Sequence, residues 1–113
     1  MKTVPEMLRE AAAVYEERNK IYGPNYKHFG GVMASMFPGG LSLKSEDDWS
    51  RLGVFVQMIA KLTRYGNQFT NGGHDDSLLD EAVYSMMLRE LDDDVRERKK
   101  TSLSVGSAIF RAT

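Results

Sequence analysis

Apolar side chains recur at three- and four-residue spacing along most of this chain, and no segment alternates apolar with polar residues. The first stretch consists of Val4, Leu8, Ala11, Tyr15 and Tyr22, with Arg18 in register. Such spacing places side chains on one face of an α-helix, whereas a half-buried strand requires a period of two residues. The pattern therefore predicts an all-α fold in which each helix presents one apolar face.

Glycine and proline divide the first half of the chain into two predicted helices. The first begins near Pro5, which suits an opening helical turn. It stops at Gly23-Pro24, because proline cannot continue the hydrogen-bond ladder of a helix. The second spans Asn25 to Met36, although a pair of glycines in its middle lowers its helical propensity. We expect two consecutive helices joined by a tight turn.

Two further helices are predicted in the second half of the chain. Ser45 starts the third, because an acid three residues later completes a capping-box pattern, and Gly66 ends it. Asp75 or Asp76 caps the fourth, which runs to about Arg98. The loop between these two helices is short and rich in glycine and asparagine. We therefore expect the end of the third helix to lie close to the start of the fourth.

The length of 113 residues predicts one folded domain. We expect a four-helix, bundle-like unit over residues 1–100 and a C-terminal tail over residues 101–113, which is flexible or docked on a neighbouring subunit. Seven methionines are many for this length, and methionine-rich faces are used at surfaces that pack against partners. These features favour a homo-oligomer.

Composition excludes several classes of protein. The net charge of −1 provides no global basic field, so we expect no nucleic-acid partner. The absence of cysteine excludes disulfides and thiolate sites. Charged residues interrupt the N-terminal segment, and no apolar run approaches the roughly 18 residues of a membrane span. We expect a cytoplasmic protein that has no membrane partner.

Two cations and two carboxylates flank the loop between the third and fourth helices. Lys61 and Arg64 lie three residues apart and therefore share a helix face. Asp76 and Asp80 lie four residues apart at the start of the next helix, and His74 sits in the loop before them. The cations suit a phosphate group, which arginine binds bidentately and lysine attracts as a point charge. An ion network that only stabilises the fold uses the same residues.

Asp80 falls near the apolar stripe of the fourth helix, where an unpaired carboxylate is unfavourable. Its partner is Lys61, Arg64 or a Mg²⁺ ion, which one or two carboxylates and substrate phosphates typically hold. Asp76 either caps the fourth helix or acts as a second ligand of that Mg²⁺ ion. His74 is a candidate for proton transfer, and an ordinary polar loop residue is the alternative.

Arg18 and two tyrosines complete the candidates. Arg18 adds a third cation to a phosphate site, or else lays its aliphatic stem along the apolar surface of the first helix. Tyr22 and Tyr84 are candidates for stacking on a base or for a hydrogen bond to a sugar. The sequence contains neither a P-loop nor a dinucleotide-binding glycine motif. Nucleotide binding, if it occurs, uses a different kind of site.

The order of these residues resembles that of small phage-encoded proteins linked to nucleotide metabolism and modification. The first part of the resemblance lies in Arg18-Asn-Lys-Ile-Tyr22-Gly23, followed by Asn25 and Phe29. The second part lies in Lys61-x-x-Arg64, Asn67 and His74-x-Asp76-Ser77-x-x-Asp80-x-Ala82-x-Tyr84. Together they span about residues 14 to 90. For a phage-encoded protein, the resemblance implies location in the host cytoplasm.

That group is distantly similar to the all-α NTP pyrophosphohydrolase (MazG-like) superfamily. The resemblance implies a helical oligomer that holds Mg²⁺ with carboxylates on two helices and converts a nucleoside triphosphate to the monophosphate. The superfamily carries an E-x-x-E pair on the earlier helix, whereas this chain has Lys61 and Arg64 there and no acid between Trp49 and Gly66. The Lys-x-x-Arg … Asp … Tyr order also resembles a phage nucleotide kinase group that lacks a P-loop.

Three functions remain open from the sequence. We expect Mg²⁺-dependent phosphate-bond chemistry on a nucleotide, either pyrophosphohydrolysis or nucleotide kinase activity. The candidate catalytic residues are Asp80, Asp76 and His74, and the two aspartates are also the candidate Mg²⁺ ligands. The candidate nucleotide-binding residues are Lys61, Arg64, Arg18, Tyr84 and Tyr22. The alternatives are sequestration of a nucleotide signal without turnover, and a helical interaction protein in which these charges are structural.

Overall fold

The computed structural model describes the backbone of residues 1–112 and the side chains of residues 1–103, and it is helical almost throughout. Its helices are α1 at Val4–Tyr22, α2 at Asn25–Met36, α3 at Glu46–Gln68 and α4 at Asp75–Ala112. A single 3-10 turn, Phe69–Asn71, lies between α3 and α4. The described residues contain no strand, which confirms the predicted all-α class and its four helices.

Side-chain caps start α1 and α3. The Thr3 hydroxyl accepts a hydrogen bond from the amide of Glu6 at 3.4 Å, and the Glu6 carboxylate accepts one from the amide of Thr3 at 3.0 Å. Ser45 and Asp48 repeat this reciprocal pattern at 3.2 and 3.3 Å. A hydrogen bond from the Lys44 amide, and further ones from Ser45, hold the pKa of Asp48 below its usual value. Both helix starts are therefore determined by residues within one turn of the chain.

The start of α4 differs in detail from the prediction. Asp75 is the first helical residue, and the carbonyl of His74 accepts a hydrogen bond from the amide of Leu78 at 3.4 Å. His74 thus takes the position before the helix that the sequence had assigned to Asp75 or Asp76. Both carboxylates lie in the first turn, where negative charge is favourable near the positive end of the helix dipole.

The ends of α3 and α4 extend beyond the predicted boundaries. α3 continues past Gly66, and α4 continues past Arg98 through a segment rich in serine and threonine. Within that segment the Thr101 hydroxyl donates to the carbonyl of Glu97 at 3.1 Å, so the side chain is accommodated inside the helix. The predicted tail covers residues 101–113, and the structure describes side chains only as far as residue 103. The docking of this tail on a neighbouring subunit stays a prediction.

α3 is the helix on which the others pack. Its most extensive contact is with α4, and α2 and α1 also lie against it. Phe37, just after α2, packs edge-on against Phe55 of α3 with ring centroids 5.3 Å apart. Among the described side chains, Ile59 of α3 is the one buried apolar residue, at 5% exposure. The molecule is elongated, with extents of 69 × 40 × 27 Å. No helix in the described part of the chain combines the length and apolar character needed to cross a bilayer.

Candidate functional site

The C-terminal end of α1 is tied to the C-terminal end of α3 by two amide side chains. Asn67 donates to the carbonyl of Tyr22 and also to the side-chain oxygen of Asn25, and Gln68 donates to the carbonyl of Ile21. These two carbonyls belong to the last turn of α1, whose acceptors have no partner within the helix. The contacts therefore hold Tyr22 beside the last turns of α3.

The ring of Tyr22 is contacted by two of the predicted site residues. The guanidinium carbon of Arg64 lies 4.9 Å from the centre of the Tyr22 ring, within the range of a cation–π interaction. The His74 ring meets the Tyr22 ring edge-on at a centroid distance of 5.9 Å. The structure thus brings together three sequence candidates from α1, α3 and the start of α4. A guanidinium stacked through its face keeps its N–H donors at its edge, where an oxyanion can meet them.

A cavity of about 410 Å³ opens beside this cluster. Arg64, Tyr22 and Asn25 contribute to its wall, together with the rings of Tyr26 and Phe29. Its volume falls within the range of small-molecule sites, roughly 300–1,000 Å³. The cavity therefore combines one cation, three aromatic rings and an amide.

A larger groove of about 560 Å³ lies along α1 and shares Tyr22, Gly23 and Tyr26 with that cavity. Arg18 lines this groove, so two of the three predicted cations border adjoining spaces. The hydroxyl oxygens of Tyr26 and Tyr15 are 2.9 Å apart across it. This hydrogen bond, together with the electrostatic effect of Tyr26 and some burial, raises the pKa of Tyr15.

Lys61 and Arg64 contact different partners, although they are one turn apart on α3. The Lys61 ammonium lies 3.0 Å from the carboxylate of Asp80, and the Lys61 side chain is only 14% exposed. Of the partners that the sequence left open for Asp80, the structure shows Lys61. This ion pair links α3 to α4, whereas Arg64 is directed to Tyr22 at the end of α1.

Ser77 is a buried polar residue that the sequence reasoning did not select as a site residue. It is 2% exposed, and its hydroxyl oxygen lies 2.6 Å from Nδ1 of His74. The hydrogen bond fixes the orientation of the imidazole, whose ring meets Tyr22. The three-residue spacing across a helix start was the available signal, because it places the two side chains near each other. Tyr26 was also missed, since its position in the cavity wall depends on how α2 turns back after Gly23.

Asp76 and Tyr84 line neither the cavity nor the groove described above. Asp76 is exposed in the first turn of α4, and Tyr84 is half-buried two turns further along the same helix. Within the described residues, no group of three or more histidine or acidic side chains is arranged to hold a metal ion. Asp76 and Asp80, one turn apart, provide only two carboxylates. Mg²⁺ is held by so few protein ligands only when substrate phosphates complete its coordination shell.

No family model, curated protein or solved structure matches the chain. The geometry of the chain's own residues therefore carries the functional argument.

Proposed function

We propose that this protein binds a nucleotide in the cavity beside Tyr22 and Arg64 and acts in nucleotide metabolism. The observation that carries the proposal is the position of the Arg64 guanidinium over the Tyr22 ring, 4.9 Å from its centre, at the wall of the 410 Å³ cavity. A nucleotide needs a cation for its phosphates and a flat apolar surface for its base. Both are present at one place on the molecule.

The chemistry of the neighbouring side chains agrees with this proposal. Arg18 lines the adjoining groove and would provide a second cation for an extended phosphate chain. Tyr26 and Phe29 offer further ring surfaces, and the Asn25 amide offers a donor and an acceptor for the edge of a base. The resemblance to small phage proteins of nucleotide metabolism, and more distantly to MazG-like pyrophosphohydrolases, rests partly on Arg18, Tyr22 and Arg64. It supports the same ligand class.

Mg²⁺-dependent phosphate-bond chemistry is the second candidate function, as pyrophosphohydrolysis or as nucleotide kinase activity without a P-loop. The contact between His74 and Tyr22 favours it, because Tyr22 lines the cavity and His74 directly precedes the first turn of α4. Asp76 and Asp80 would hold Mg²⁺ together with the nucleotide phosphates, and the ion would neutralise phosphate charge when bound. Since Asp80 also pairs with Lys61, sequestration of a nucleotide without turnover is the simpler form of the proposal.

A calorimetric titration with nucleoside mono- and triphosphates, with and without Mg²⁺, tests binding. We expect saturable binding that Arg64→Gln weakens about tenfold or more, because a charge-assisted contact contributes about 1.5–3 kcal/mol. Arg89→Gln is the matched control, since Arg89 is an exposed arginine further along α4. Arg64→Lys retains the charge but loses the stacked, planar fork, so we expect an intermediate affinity.

Analysis of the products in the same mixtures separates the two candidates. Turnover that requires Mg²⁺ and is lost in Asp76→Asn supports the enzyme, whereas binding that leaves every nucleotide intact supports sequestration. If no nucleotide binds, or if Arg64→Gln and Arg89→Gln bind equally well, the proposal is wrong and the helical interaction protein becomes the better explanation.

A further inference from the structure

We propose that the apolar stripe of α1 is the contact surface of a homo-oligomer, in which a second copy of this chain covers both the stripe and the tyrosine-lined groove beside it. This inference goes beyond nucleotide binding and does not require it. It rests on the exposure of α1, on the surface area of the whole chain and on the charges that flank the stripe.

The α1 stripe is regular and exposed. Its positions alternate in steps of three and four residues through Val4, Met7, Ala11, Val14, Arg18 and Ile21. This is the spacing of a seam between two packed helices. Every residue from 4 to 21 is solvent-exposed, and Leu8 beside the seam is 65% exposed. The stripe is therefore the kind of surface that another helix covers.

α1 has few attachments within its own chain. Its last carbonyls are held by Asn67 and Gln68, and Tyr15 reaches Tyr26 on α2. The first turns make little contact with the rest of the described chain, since all of their residues are exposed. Most of the stability of a helix in a protein comes from packing of its apolar face, and α1, which is 19 residues long, has little such packing within its own chain. Packing by a partner would supply the stabilisation that the single chain lacks.

The chain exposes more surface than a compact protein of its mass. Its accessible surface is 8936 Å², whereas a folded monomer of 12.7 kDa exposes about 6,200 Å². The radius of gyration is 20.7 Å, compared with about 13 Å for a compact chain of this length. The surplus of about 2,700 Å² is at least as large as the roughly 1,000–2,500 Å² that each partner buries in an obligate interface.

Charge favours a second copy over a membrane or a nucleic acid. α1 carries four acidic and three basic residues, and the whole chain has a net charge of −1. Binding to anionic lipid or to phosphate backbones requires an excess of basic residues, whereas mixed charges suit pairing between like surfaces. α4 also exposes apolar residues, including Leu79 at 66% and Met86 at 58%. Each copy thus offers an apolar surface for the α1 stripe of another.

Covering the stripe would also close the groove. Met7, Ala11 and Val14 belong to both the stripe and the wall of the 560 Å³ groove, which Arg18 and Tyr22 line as well. A second copy seated on α1 would convert this open groove into an enclosed space between subunits. Assembly would then complete the wall around Arg18.

A matched pair of alanines on α1 tests the proposal. Ala11 lies in the stripe, whereas Ala13 lies about 200° around the helix. Both are exposed and have the same helical propensity. We expect sedimentation velocity without nucleotide to give an oligomer for the natural chain and for Ala13→Glu, while Ala11→Glu shifts toward the monomer mass of 12.7 kDa. Circular dichroism checks that the helices are retained.

Hydrogen exchange of the natural chain provides a second test that needs no substitution. The amides in the first turns of α1 should be protected at high protein concentration and should lose that protection on dilution. A monomer at the highest soluble concentration, equal behaviour of the two variants, or monomers that bind anionic vesicles instead would each overturn the proposal. Arg64→Gln should stay oligomeric, so failure of nucleotide binding and failure of assembly are distinguishable.

Discussion

Gly23 links α1 to α2 and borders both the cavity and the groove. Its φ of 62° and ψ of −167° lie in a region that residues with a side chain rarely adopt. A methyl group at this position would also lie 3.4 Å from the Asn67 amide nitrogen, which holds the end of α1. At the scale of a single residue, the shape of the candidate site therefore depends on the absence of a side chain.

Gly23→Ala should lower the free energy of unfolding by about 1–3 kcal/mol, the typical cost of a backbone strained in this way. Gly30→Ala is the control, because Gly30 lies inside α2 and its added methyl would meet no atom within 4 Å apart from its chain neighbours and the nearby backbone of its own helix. The control should be neutral or raise stability by up to about 1 kcal/mol. Urea unfolding of both variants measures the difference. Equal effects would contradict the assigned backbone conformation.

The hydroxyl pair of Tyr15 and Tyr26 leads to a prediction for alkaline pH. The pKa of Tyr15 is raised above 10.0 because the folded chain favours the neutral phenol. The stabilisation of the folded chain by the neutral Tyr15 phenol is therefore complete below pH 10.0. It is lost as the pH rises through the higher pKa that Tyr15 has in the folded chain. Tyr26→Phe should return this pKa toward its usual value, and Tyr84→Phe should leave it unchanged. Ultraviolet titration of the tyrosinate band measures this pKa in both variants. If Tyr26→Phe and Tyr84→Phe leave it equal, the two hydroxyls do not interact.

At the scale of helices, ion pairs set how α3 and α4 face each other. Lys61 pairs with Asp80, and Arg51 pairs with Asp92 at 2.7 Å. In the first pair the cation is the more buried partner, since the Lys61 side chain is 14% exposed and the Asp80 side chain is 52% exposed. Loss of Asp80 would therefore leave an ammonium group in a largely desolvated position, which is unfavourable.

Asp80→Asn should destabilise the chain by about 1 kcal/mol, because the Lys61 ammonium loses its charged partner. Asp76→Asn, one turn away on the same helix and exposed, should change stability by less than about 0.5 kcal/mol. Thermal or urea unfolding at neutral pH gives both values. If the two substitutions destabilise equally, the ion pair does not stabilise the packing of α3 on α4. Asp76→Asn is also the cleaner test of Mg²⁺ chemistry, because it leaves that pair intact.

At the scale of the whole molecule, many large apolar side chains of the described residues are left exposed in a single chain. Hydrophobic residues make up 42% of the sequence, yet Ile59 is the one apolar side chain that is at least nine-tenths buried among residues 1–103. Since burial of apolar area is the main favourable contribution to folding, a single chain of this shape should be only weakly stable.

The thermal midpoint should therefore rise with protein concentration, because an oligomer that binds only the native state stabilises it by mass action. Ala11→Glu should melt at a lower temperature that does not depend on concentration, whereas Ala13→Glu should follow the natural chain. Calorimetric scans over a hundredfold dilution series provide the measurement. If the thermal midpoint of the natural chain does not change with protein concentration, a single copy is stable without a partner.

The helices could be predicted from sequence because their signals are local. The capping residues Thr3 and Ser45 and the break at Gly23-Pro24 act within a few residues, and α2 was predicted with the bounds that the structure shows. The far end of α4 was predicted less well, since a Ser/Thr-rich segment is compatible with a helix once its hydroxyls bond to the preceding turn.

Sequence alone determined the all-α class, most helix boundaries and the set of residues around which the candidate site forms. The tertiary structure decided which of them meet. Lys61 and Arg64 are neighbours on one helix, but a rotation of about 60° between positions three apart directs one toward Asp80 on α4 and the other toward Tyr22 on α1. Helix rotation and crossing depend on contacts far apart in the chain, and for that physical reason local patterns cannot determine them.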